Sequence, residues 1–209
     1  MKKIDIETWS RKNTYLFYKD ADIPRYNITV DIDVTRFYQF VKERKISFYL
    51  SFMYFIMDEL NKIENFRYRF VNREPYLFDC THPSFTDAIL ETDNFKIVTV
   101  NMEKSLHRFI EKAKETSDSQ GSSFMNAQEE KRDDLVYITT FPWAKFSQVS
   151  HASWINPYDA IPRLIWGKFE EINGKKMMPL SIEAHHAFAD GRHVGILIQN
   201  LQTRLNQLE

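Results

Sequence analysis

From Met178 to His186 the chain alternates, Met-Pro-Leu-Ser-Ile-Glu-Ala-His-His, and then breaks into Ala-Phe-Ala-Asp-Gly ahead of apolar residues at helical spacing. A period of two marks a strand and a period near 3.6 a helix, so this stretch reads as strand, turn and helix. The alternation predicts Leu180, Ile182, Ala184 and His186 on one face and Ser181, Glu183 and His185 on the other, which makes His186 the buried member of the pair. Desolvation disfavours the charged form of an imidazole, and a neutral ring nitrogen can accept a proton near neutral pH. A general base needs that property.

The rest of the chain supplies partners for that unit. Residues 26 to 33 alternate like a half-buried strand with Ile28, Val30 and Ile32 inward. A helix follows over about 34 to 44, and Ser47 caps another that runs to about Lys62 and is apolar nearly all round. Strands are expected at 66–71, 75–78, 84–91 and 95–100, a run that suggests antiparallel pairing, and further strands at 136–140, 145–151, 163–170 and 176–186. Helices are expected at 103–116 and 192–207, with a polar loop over 117–134. The fold class is α+β, a two-layer α/β sandwich in which helices cover a mixed β-sheet.

Composition narrows the function. At 209 residues, with 43% apolar residues, the chain can build one substantial core, so residues 1–209 read as a single domain. Basic and acidic residues nearly cancel, 28 against 29, which leaves no electrostatic footprint for DNA or RNA. The lone Cys80 excludes an internal disulfide and fits a reducing cytoplasm. The most apolar stretch, 48 to 57, ends at Asp58 well short of the roughly 20 residues a membrane span requires. The opening Met-Lys-Lys-Ile-Asp-Ile-Glu-Thr-Trp lacks the long apolar core and small-residue cleavage site of a secretory signal, so none is expected.

Residues His185, His186, Ala187, Asp190, Gly191, His193 and Val194 match His-His-Ala-x-x-Asp-Gly-x-His-Val, the motif of the chloramphenicol acetyltransferase family, which this chain resembles. Pro142-Trp143-Ala144-Lys145-Phe146 is similar to the family's Pro-Trp-x-x-Phe segment, and Trp9-Ser10-Arg11 with Phe17-Tyr18 resembles its opening. The resemblance implies acetyl transfer from acetyl-CoA, as co-substrate, to the hydroxyl of a small acceptor, with His186 as the base. It further implies that Asp190 pairs with Arg11 to fix the loop under the histidine, that Phe17 and Tyr18 line the acceptor pocket, and that the protein is a homotrimer with active sites between subunits.

Two substrate-binding positions depart from what the resemblance implies. Gln148 stands where it implies an oxyanion-donating serine, and Ile165 where it implies a water-holding threonine. These departures make the second reading a catalytically weak relative that binds a ligand or a protein. Thiol or amine acceptors are a third reading, whose usual context is a larger chain. Metal binding by His185, His186, Asp190 and His193 is disfavoured, because adjacent residues of a strand point to opposite faces, so no metal is expected. His82, His107 and His151 carry no motif and read as surface or loop residues.

Overall fold

The computed structural model describes residues 1–209, the side chain of Glu130 excepted. In chain order the elements are β1 (Lys2–Lys3), α1 (Lys12–Tyr18), β2 (Arg25–Asp33), α2 (Thr35–Glu43), α3 (Phe48–Asn61), β3 (Tyr68–Val71), β4 (Glu74–Leu77), β5 (His82–Ala88), β6 (Phe95–Thr99), α4 (Leu106–Gln120), β7 (Leu135–Phe141), β8 (Arg163–Gly167), β9 (Glu170–Ile172), β10 (Lys175–His185) and α5 (Gly191–Asn206). The main sheet runs β2-β10-β8-β7-β5-β6, with β9 also paired to β10, and a small sheet joins β1, β4 and β3. Pairing is antiparallel except for β5 with β7 and β7 with β8, which are parallel. The run from β3 to β6 pairs antiparallel as expected, β3 with β4 and β5 with β6, and the parallel pairs make the sheet mixed at its centre. There α4 makes the crossover from β6 to β7.

Alternation decides the layers. Ile28 and Ile32 of β2, Leu164 and Trp166 of β8, Val136 and Ile138 of β7, and Leu180, Ile182 and Ala184 of β10 share one core with α2, α3, α4 and α5. Helix α3 needs burial on most of its surface and obtains it between the sheet, α4 and α5. Its start is fixed by Ser47, whose hydroxyl accepts the Leu50 N–H at 3.3 Å. The other face of the sheet carries the alternate residues, among them Arg25, Asn27, Arg163, Ile165, Ser181 and Glu183. A smaller cluster of Tyr15, Tyr68, Phe70, Ala160, Ala187 and Phe188 closes its end beside α1.

Several expected boundaries are corrected. The strand at 145–151 is absent, because after Pro142 the chain leaves β7 and crosses the sheet as a strap. Lys145 Nζ reaches Asp31 on β2 at 2.9 Å, and the Ala144 carbonyl accepts from Lys168 N–H at 3.2 Å. Phe146 packs so closely on Gly167 that a Cβ there would meet its ring at 2.9 Å. The expected strand at 163–170 is two, β8 and β9, separated by Lys168 and Phe169. Helix α4 starts three residues later than 103 and runs on to Gln120.

Candidate functional site

Strand β10 ends at His185, so the alternation does not carry through to His186. His185 is the buried histidine and His186 is half-buried in the following turn, the reverse of the expectation. The physical reason is that both faces are covered at this end of the sheet: Ala184 faces the helical core, and His185 lies against Phe70 and Phe188 of the smaller cluster. Its Nε2 donates to the Pro157 carbonyl at 2.7 Å, and its Nδ1 accepts the Ala187 N–H at 3.2 Å. These bonds define one neutral tautomer. Burial pushes its pKa down to about 4, outweighing the Pro157 bond, which acts the other way.

His186 is held by its backbone and by ring packing. Its N–H donates to the Pro24 carbonyl at 2.8 Å. Its ring stacks on Tyr18 with centroids 4.1 Å apart and planes 11° from parallel, and Tyr26 flanks it at 4.8 Å. Nδ1 is buried without a hydrogen-bond partner among the described residues, so the ring's exposed edge is the one carrying Nε2. The Tyr26 hydroxyl is also buried and unpartnered, and burial together with the Asp190 charge raises its pKa.

Arg11 and Asp190 meet as expected, in a geometry that differs from a two-pronged pair. Arg11 Nη1 donates to Asp190 Oδ2 at 3.0 Å, while Nη2 donates to the His186 carbonyl at 3.4 Å. The guanidinium therefore bridges the carboxylate and the backbone of the histidine. Asp190 is the N-cap of α5, with Oδ1 accepting the Arg192 N–H at 3.1 Å, and His193 completes a capping box. Burial works to raise the Asp190 pKa, but the Arg11 hydrogen bond and the neighbouring positive charge hold it below the ordinary carboxylate value.

The other expected positions are scattered. Phe17 is 77% exposed and touches only the edge of Tyr18 among aromatic rings. Ile165 is buried on β8, opposite Thr139 of β7 in register. Gln148 is exposed in the coil beyond the strap, where no strand orients it. A cavity of about 400 Å³ opens beside β5, β7 and β8, lined by Phe85, Ile97, Phe124, Trp154, Thr139 and His151 among others; His186 is not among its lining residues. Sequence reasoning missed Thr139 and His151. The period-two alternation of β7 could have flagged Thr139, whose hydroxyl lies 2.9 Å from that of Thr86. His151 and His82 are not ordinary surface residues: the first lines the cavity with a buried, unpartnered Nε2, and the second accepts the Met102 N–H at 3.0 Å.

Among the described residues no group of three or more His, Cys, Asp or Glu side chains could hold a metal ion, and no helix is long and apolar enough to cross a membrane. A histidine stacked at a strand end, braced by an Asp-Gly turn and an N-terminal arginine on this α+β scaffold, defines the acyltransferase class. A family profile described as chloramphenicol acetyltransferase matches residues 1–202, and the chain belongs to that family. It is 27% identical over 200 residues to the chloramphenicol acetyltransferase of Proteus mirabilis, covering 95% of this chain and 92% of the relative. The Bacillus pumilus chloramphenicol acetyltransferase is 26% identical, with 96% and 91% covered. A solved chloramphenicol acetyltransferase structure superposes with a TM-score of 0.89 at 25% identity, over 98% of this chain and all of that one (100%). The dihydrolipoamide acetyltransferase of Azotobacter vinelandii shares the fold alone, with a TM-score of 0.69 at 16% identity over 93% of this chain and 86% of that one.

Proposed function

We propose that residues 1–209 form one domain that transfers the acetyl group of acetyl-CoA to a hydroxyl of chloramphenicol or a similar small acceptor. The observation that carries this reading is the setting of His186: Nδ1 sealed, Nε2 on the free edge, and the backbone held by Pro24 and Arg11. In the proposed reaction Nε2 takes the proton from the acceptor hydroxyl as its oxygen attacks the thioester carbonyl. The tetrahedral oxyanion then collapses and expels the CoA thiolate, which recovers the proton from the imidazolium. General-base assistance of this kind contributes about a hundredfold to ten-thousandfold. A thiol-release assay with acetyl-CoA and chloramphenicol tests it: His186→Ala is expected to lose at least about a hundredfold in kcat, and release at the parent rate rejects the base.

The oxyanion needs a donor, and exposed Gln148 is poorly suited to a site that must exclude water. The Thr139 hydroxyl is the better candidate. It lines the cavity, and its neighbour in register is the buried Ile165. Losing one such donor costs on the order of a hundredfold to a thousandfold, so Thr139→Val should fall by about that factor while Gln148→Ala changes kcat little.

His186 and the cavity are separate within one chain, which supports a homotrimer in which one subunit's histidine faces the next subunit's cavity. Phe17 and Tyr18 would then line the acceptor side and Ile165 the floor beyond it. A donor such as acetyl-CoA suits a cytoplasmic setting. The weak-relative reading keeps one specific support, the apolar Ile165. Calorimetry showing acetyl-CoA binding, with no thiol release across several alcohols, would favour it.

A further inference from the structure

On the face of the sheet opposite the helices, two arginines and two carboxylates pack into one cluster. Arg25 of β2 and Arg163 of β8 meet Glu183 of β10 and Asp159 of the segment before β8, with side chains 11%, 8%, 13% and 21% exposed. Glu183 Oε1 accepts from Arg25 Nε and from Arg163 Nη1, both at 2.7 Å. Asp159 Oδ2 accepts from Arg163 Nη2 at 2.6 Å, and its Oδ1 lies 3.0 Å from Arg25 Nη1. Arg25 also donates to the carbonyls of Asp159 and Ile161 at 2.6 and 2.8 Å.

Four charges largely withdrawn from water are a costly way to gain stability, since apolar residues of similar volume often serve as well or better. What the cluster does supply is a fixed place for residues 157–161, which have no strand or helix of their own. That segment bears directly on the histidine pair. The Pro157 carbonyl receives the His185 Nε2–H, and His185 Nδ1 in turn receives the amide of Ala187, immediately after His186. From the other side, Arg25 faces His185 in strand register, and its predecessor Pro24 receives the His186 amide. With Nδ1 unpartnered, the His186 ring has no side-chain hydrogen bond at that atom to orient it and relies on these backbone ties.

We propose that Arg25, Asp159, Arg163 and Glu183 are positioning residues for His186, acting through the Pro157 carbonyl, His185 and the Ala187 amide. The proposal rests on the reading of His186 as the base. None of the four touches the His186 ring, although Arg163 also lines the cavity with Thr139; the proposed work of the cluster is to keep Nε2 in line with the acceptor, where a displacement of about 1 Å can cost on the order of a hundredfold in rate.

The test pairs steady-state kinetics with proton–carbon spectra of the protein labelled at its histidine rings, the His186 signal being assigned by its loss in His186→Ala. Asp159→Asn and Glu183→Gln keep side-chain shape and remove one charge each. Each should lower kcat by roughly tenfold, leave KM for acetyl-CoA within about twofold, and shift the His186 ring resonances. Glu111→Gln, at an exposed pair on α4, serves as the control and should move neither signal. Unchanged kcat and unchanged His186 resonances in both variants would overturn the proposal, as would a loss of activity matched by an equal loss of folded protein. Should either variant fail to fold, Arg25→Lys, which keeps the charge but loses the forked donation and lies outside the cavity lining, is held to the same two signals. If His186→Ala turns over at the parent rate while Asp159→Asn still shifts the His186 signal, the base reading fails and the positioning relay stands.

Discussion

His185 has its proton demand fixed by its surroundings: Nε2–H is spent on Pro157, Nδ1 is spent on the Ala187 amide, and burial pushes the pKa down to about 4. An unfolded chain binds a proton there near pH 6.5, so between about 6.5 and 4 the unfolded state holds a proton that the folded state refuses. Stability is therefore full above that window and falls as pH falls through it, by roughly 3 kcal/mol from this residue. Urea unfolding at pH 7 and pH 5 should show a larger drop in the parent than in His185→Gln; equal drops would refute the linkage. Arg11 poses the other question at this scale. A lysine could keep its charge near Asp190 but could not also reach the His186 carbonyl, so Arg11→Lys is expected to lower kcat roughly tenfold. Stability should change by no more than about 1 kcal/mol, because Asp190 is partly solvated; thermal unfolding beside the thiol-release assay checks both. The family resemblance, and not spacing alone, pointed to the pairing of Asp190 with Arg11. The spacing misassigned the buried histidine because period-two reasoning assumes that the strand continues and that one face is wet, and neither holds at the end of β10.

Helices α2, α3 and α5 and strands β2, β7 and β10 were readable from the chain, since each depends on local periodicity and on caps such as Ser47 and Asp190. The segment after Pro142 was not. Its residues alternate well enough to suggest a strand, but its partners are a carboxylate on β2, a carbonyl-to-amide contact with Lys168 and the glycine of β8, all distant in sequence. Long-range packing decided the outcome there, and no local pattern reports it. Gly167 carries the consequence. An added methyl would meet the Phe146 ring and the Pro179 ring at 2.9 Å each, so Gly167→Ala must displace the strap or distort β8. The expected cost is about 1–3 kcal/mol. A urea midpoint indistinguishable from the parent would show that Phe146 rotates away freely.

At the scale of the whole molecule, the largest unexplained feature of one chain is its exposed apolar surface. Trp154 is 93% exposed and Ile155 87%, and Trp143 and Ile23 are also open to solvent. Large apolar side chains left exposed side by side, as at Trp154 and Ile155, are a feature of interaction surfaces. The proposed occupant is a second copy, because one copy separates His186 from the cavity lined by Thr139 and Trp154. A head-to-tail ring of three gives every histidine a neighbouring cavity and leaves no open end. Complementation separates this arrangement from a site built within one chain. His186→Ala retains its cavity, and Thr139→Val retains its histidine. Made separately, each should be nearly inactive. Co-expressed in equal amounts and assembled at random, they place an intact histidine against an intact threonine at about a quarter of the interfaces, so the mixture should recover about a quarter of parent activity. A site contained in one chain would recover none, since every chain in the mixture carries one lesion. Trp154→Asp made in both partners puts a charge into the proposed interface, and should abolish the recovery while sedimentation shows smaller particles. Recovery that survives that change would place the shared surface elsewhere on the molecule.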